Sequence, residues 1–218
     1  MSSSSKQIIA CPACQHKQDF ELWHSVNVTL DPTLRDRLRS GALTTFRCGN
    51  CGHAAEVVSP LLYHDMEKHW MFWLVPDGKL PQNVDVNVLN EHLQNYRLRL
   101  VRSRNELVEK LNTFAAGFDD RVVAVLKFFL RAQLERQNGI ENASLFFHER
   151  LKSETGTEHL CFAWVNDDKV RAIGISVELY ESTQADLQSV LEGPLGREDA
   201  WLLADDHFVT KLLGQRKP

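Results

Sequence analysis

At 218 residues the chain is long enough to bury a proper core, as one large domain or two small ones. Its 43% hydrophobic and 25% charged residues are ordinary for a globular protein. The net charge of −4 is unevenly spread: eight basic against eight acidic groups in residues 1–80, nine against seven in 81–140, and eight against fourteen in 141–218. No segment carries the cationic surplus that binding to nucleic acid draws on.

The longest apolar run, Trp70 to Val75, is far shorter than the roughly 20 residues of a spanning helix. The start, Met1 to Lys6, is polar and lacks the apolar centre of a secretory leader. A cytoplasmic location, with reduced thiols and no membrane contact, is the expectation. Five cysteines in two tight pairs plus one then read as a metal site, not a disulfide framework.

In chain order, residues 1–7 are expected as a disordered tail. Period-two spacing over Phe20, Leu22, Val26, Val28 and Leu30 predicts a strand with a break near Trp23. Asp31-Pro32-Thr33 starts a helix, with Asp31 as its cap and Pro32 in its first turn, running over Thr33 to Arg39 and closed by Gly41. Strands are predicted at Thr44 to Arg47, Ala54 to Ser59 and His69 to Val75, and a short helix within Pro81 to Asn95. Tyr96 to Val101 alternates Arg97 and Arg99 with Leu98 and Leu100, the pattern of a half-buried strand.

Ser103 and Glu106 have the spacing of a capping box. Leu107, Leu111 and Phe114 follow on one helical face, and Gly117 ends that helix. Asp119 or Asp120 caps the next helix, which runs to about Gln137 and turns Val122, Val123, Leu126, Phe129, Leu130 and Leu134 inward. Beyond Asn138-Gly139, strands are predicted at Leu145 to Arg150, His159 to Val165 and Val170 to Tyr180, with a turn at Asn166-Asp167-Asp168. Helices follow at Gln184 to Leu191 and Asp206 to Leu213. The fold class is α+β: a zinc-ribbon-like β region with a helical insertion, then a helical hairpin, then a C-terminal β-meander with helices. A domain is expected over 8–137, followed by an α+β region over 138–218.

The strongest chemical signal is Cys11-Pro-Ala-Cys14 with Cys48-Gly-Asn-Cys51. A two-residue gap lets both sulfurs of a turn point at one ion, and two such turns supply four thiolates, the closed shell of one structural Zn2+. Pro12 pre-sets the first turn, and Gly52 suits the unusual dihedrals by which the chain leaves the second. A redox pair would need a single exposed CxxC at a helix start. His16 and His53, each two residues past a knuckle, read as exposed turn residues in preference to ligands. Cys161, between Leu160 and Phe162, reads as a core residue.

Together with Pro60-Leu-Leu-Tyr-His-Asp65, Tyr96-Arg-Leu-Arg-Leu-Val101, Asn105-Glu-Leu-Val-Glu-Lys-Leu111 and Phe118-Asp-Asp-Arg121, these pairs make the chain resemble the CpXC-domain family of bacterial proteins over residues 8 to 132. Gly49 stands where the second motif would carry proline, which is not a ligand. The resemblance implies a zinc-binding domain joined to a helical part and assigns no activity.

Three functional readings follow. The preferred one is a zinc-stabilised, non-enzymatic binding or adaptor module with a protein partner. The second is a transcription-related nucleic-acid binder using Arg97, Arg99, Arg102 and Arg104; against it stands a solvated strand face or pairing with the acidic hairpin. The third is a hydrolase using Glu106, Glu109, Asp119 and Asp120, against which capping and the helix dipole already account for acidic residues there. His64 and His69, with Asp65 and Glu67, share no helix or strand face and do not read as a second metal site.

Overall fold

The computed structural model describes residues 1–80, 93, 95–138, 144–166, 169–197 and 201–215. The chain divides into two compact units, one built from Met1–Leu107 with Glu198–Leu202 and the other from Val108–Arg197 with Leu203–Pro218. The division falls inside a helix, not near the expected position 138.

In the first unit a five-stranded sheet runs β1 (Ser3–Ala10), β2 (Lys17–Asn27), β5 (Leu61–Asp65), β6 (Trp70–Leu74) and β7 (Arg97–Val101). β1 and β5 pair antiparallel with β2 and β6 respectively, whereas β2–β5 and β6–β7 are parallel. Between β2 and β5 the chain makes α1 (Thr33–Arg39) and the hairpin of β3 (Thr45–Arg47) and β4 (Ala54–Glu56). Leu34 and Leu38 of α1 are buried, and Tyr63 and Phe72 stack at 5.6 Å between centroids. Burying each such side chain contributes about 1.5–3 kcal/mol.

Several expectations change here. The serine-rich start forms most of strand β1, held by pairing with β2 from Ser3↔Ser25 to Ala10↔Lys17. The cap residue of α1 is Pro32, with no side-chain cap; the Asp31 carboxylate instead accepts from the Ser2 hydroxyl. β7 is not half-solvated, since Leu98 to Val101 are all buried and Arg99 is 0% exposed. The Arg99 Nη1 donates to the Leu98 carbonyl at 3.0 Å. The outer edge of β7 is closed by Leu202, whose carbonyl accepts from Leu100 N–H and whose N–H donates to the Leu98 carbonyl. The short helix expected within Pro81 to Asn95 lies outside the described residues, apart from Leu93 and Asn95.

α2 (Arg104–Ala115) opens as half a capping box: the Ser103 hydroxyl accepts from Glu106 N–H at 3.2 Å, but the Glu106 carboxylate takes Arg102 N–H at 2.7 Å. In the second unit α3 (Asp120–Asn138) begins after Gly117, whose φ is 79°, and Asp119 accepts from Arg121 N–H. Positions 121–126 are buried in succession, while Phe129, expected inward, is 54% exposed. The antiparallel meander β8 (Ser144–Lys152), β9 (Glu158–Asn166), β10 (Lys169–Ser176) turns Leu145, Phe147, Leu160, Phe162 and Trp164 to the core. The expected turn at 166–168 lies outside the described residues beyond Asn166. The predicted strand ends at Ser176, because that serine's hydroxyl accepts from Leu179 N–H and starts α4 (Val177–Leu191). α5 (Asp206–Gly214) closes the chain, capped by Asp205.

Candidate metal centre

Both cysteine pairs sit on tight turns at hairpin ends. In the first, Cys11 N–H donates to the His16 carbonyl and Gln15 N–H to the Cys11 carbonyl, both at 2.9 Å. In the second, Cys48 N–H donates to the His53 carbonyl at 2.8 Å and Gly52 N–H to the Cys48 carbonyl at 2.9 Å. The residue after each second cysteine lies in the left-handed region, Gln15 at φ 60° and Gly52 at φ 72°. The two turns are therefore built alike, although only the second uses glycine where glycine is least costly.

The four Sγ atoms lie within 4.8 Å of one another, the sole group of three or more His, Cys, Asp or Glu ligand atoms so placed among the described residues. Across the turns, Cys11 and Cys51 are 3.7 Å apart and Cys14 and Cys48 are 3.6 Å apart. Cys11 and Cys48 are buried, Cys14 half-buried and Cys51 exposed. Beneath them Phe46 is buried, with Ile9, Phe20 and Val57 against it, and the Phe20 and Phe46 rings lie 6.2 Å apart.

Two polar side chains tie one turn to the other. Gln18 on β2 donates to the Arg47 carbonyl at 2.9 Å and accepts from Gly49 N–H at 2.7 Å. Asn50 in the second turn donates to the Cys14 sulfur at 3.6 Å. The His16 backbone N–H and Asn50 pull the Cys14 thiol down to about 6, helped by the Cys51 sulfur. Cys51 goes the other way, up to about 12: the His53 N–H lowers it, but the Cys14 sulfur, burial and the Cys48 and Cys11 sulfurs together outweigh that. Four sulfurs this close hold negative charge jointly only around a cation.

Other singled-out residues have structural partners. His16 and His53 are exposed and serve the turns through their carbonyls. Burial pushes the half-buried Cys161 thiol up, as does nearby Glu149. The hairpin carboxylates do not meet as a pair. Glu109 accepts from Lys127 at 2.7 Å and from Phe147 N–H at 2.6 Å; Asp120 pairs with Lys110 at 2.9 Å; Asp119 chelates Arg121. Of the arginine run, Arg99 is buried and Arg104 reaches the Arg39 carbonyl and Glu56. His64 contacts Tyr96 at 3.2 Å, and burial lowers its pKa. Gln18 and Asn50 carry no local sequence signal, since their contacts span 29 to 36 positions of chain.

Two knuckle turns bringing four sulfurs together over a small apolar base define a four-cysteine module able to hold a metal ion. The CpXC protein family model matches residues 9–127, more than half of the chain, and includes all four cysteines. The chain belongs to the CpXC family. Comparison with curated proteins and with solved structures gives no match.

Proposed function

We propose that Cys11, Cys14, Cys48 and Cys51 hold one structural zinc ion and that the chain is a non-enzymatic binding or adaptor module for a protein partner. The observation that carries the metal assignment is the sulfur spacing. A tetrahedron with bonds of about 2.3 Å has edges of about 3.8 Å, against 3.7 and 3.6 Å across the turns. An iron–sulfur cluster puts several irons and sulfides between the thiolates and would need them farther apart. Four thiolates leave no open coordination position, which makes the ion structural.

A protein partner is favoured over nucleic acid by the net charge of −4 and by the burial of Arg99. In the metal-bearing unit Ile8, on the free edge of β1, is 73% exposed and Val58, just past β4, is 68% exposed. Elemental analysis tests the metal: one zinc per chain is expected, with four sulfurs at about 2.3 Å by X-ray absorption. A metal-free chain, or a shell containing nitrogen, refutes the assignment. Affinity capture with the zinc-loaded chain and with Cys14→Ser, each with and without nuclease, tests the partner. A partner that needs the metal and survives nuclease is expected; one lost on nuclease treatment points to nucleic acid.

A further inference from the structure

The four sulfurs differ in access in a paired way. Cys51 is exposed and faces buried Cys11 at 3.7 Å, whereas half-buried Cys14 faces buried Cys48 at 3.6 Å. Each solvent-accessible sulfur thus has a protected one opposite it on the other turn. Within a turn, hydrogen bonds fix the backbone around both cysteines: Cys11 to His16 and Gln15 to Cys11, Cys48 to His53 and Gly52 to Cys48. Closing a disulfide inside a turn would pull against that frame. Closing one between turns draws together two hairpins already joined by Gln18 and Asn50.

We infer that the centre is an oxidant-responsive switch in which a hydroperoxide expels the metal and leaves two disulfides across the turns, Cys11–Cys51 and Cys14–Cys48. This rests on the zinc reading above. In each half the accessible thiolate attacks the peroxide O–O bond, forming an S–O bond and releasing hydroxide. The buried thiolate opposite then attacks that sulfur, forming the S–S bond and releasing a second hydroxide. Two thiolates lose two electrons and one peroxide gains them. Two turnovers consume all four ligands, so the ion leaves. The new bonds replace the ion as the link between the hairpins, and the lobe keeps its shape.

The test uses the full chain carrying Cys161→Ser, with zinc content measured first. A chain that holds no zinc defeats the metal assignment and not the switch. Zinc-loaded chain is treated with hydrogen peroxide while a chromogenic chelator follows release, then blocked with an alkylating agent and digested with trypsin. Gln7–Lys17 carries Cys11 and Cys14, and Cys48–Lys68 carries Cys48 and Cys51. The expected result is loss of one zinc per chain, with these two peptides covalently joined and fragmentation placing the bonds at Cys11–Cys51 and Cys14–Cys48. Hydrogen exchange in residues 7–60 should stay near that of the zinc-loaded chain. Separate peptides with internal disulfides, the opposite cross-pairing, or zinc retained under excess peroxide each overturn the inference.

Discussion

Gln18 makes the sharpest test of how the two turns are assembled. Its amide both donates to the Arg47 carbonyl and accepts from Gly49 N–H, so one side chain holds the strand entering the second turn and the turn itself. Gln18→Ala removes both bonds at a half-exposed site, where water can satisfy part of what is lost; each bond has a net worth of roughly 0.5–1.5 kcal/mol, giving a cost of about 1–2 kcal/mol. Because a four-thiolate site is assembled only as the chain folds, that cost appears in the metal affinity. Competition against a calibrated chelator should show zinc bound about 5- to 30-fold more weakly. Gln18→Glu retains the acceptor for Gly49 but sets a carboxylate oxygen against the Arg47 carbonyl, so it should recover no more than half the loss. Unchanged affinity in Gln18→Ala would show that the turns are pre-arranged without this bridge.

Structural zinc contributes on the order of 10 kcal/mol to a small ribbon, so Cys14→Ser should raise hydrogen exchange mainly between Gln7 and Pro60; uniform loss of protection would mean that the metal organises the whole chain. Gly52→Ala has open space around the new Cβ, so its cost is purely the left-handed backbone, about 1 kcal/mol, and Gln15→Gly should be stabilising by up to a similar amount; a neutral Gly52→Ala in chemical denaturation would contradict the turn geometry. Glu109→Ala strands Lys127 and the Phe147 N–H in a buried site, and urea unfolding should show a loss of about 3–5 kcal/mol; a change too small to resolve would mean that the carboxylate is dispensable to the fold. Anisotropy titration with duplex DNA or single-stranded RNA at about 150 mM salt should show nothing tighter than micromolar, and nanomolar binding that falls in an Arg97→Ala, Arg102→Ala double variant would reverse the choice of partner.

The metal site was legible because its signal is local: two cysteines two residues apart say most of what a knuckle needs. Helices α2 and α3 were legible for the same reason, through caps and apolar spacing. The rest was decided by distant chain. Ser3 to Lys6 has little strand propensity, and it is extended because β2 offers it a partner. Arg99 looked like the solvent side of an alternating strand, but Leu202, a hundred residues on, covers the edge of that strand. Val170 to Tyr180 read as one strand because β-branched residues continue through the boundary, and a single serine cap redirects the chain. The bridging by Gln18 could not be seen at all, because a lone polar residue on a strand looks the same whether or not something lies opposite it.

The β1–β2 ribbon is exposed along much of both faces, and its residues alternate only weakly in burial. A ribbon of that kind has little to choose between its true pairing and one slipped by a residue, because no deep core penalises the wrong face. Slippage would move the Cys11 turn out of reach of Cys48. At the opposite end the register shifts between Ser3 and Ser4, so the strand is irregular where it meets the wider sheet. A metal gripping both turns accepts one alignment and rejects its neighbours, acting as an index pin for the ribbon. It also keeps an unprotected outer strand from wandering into pairings with other chains.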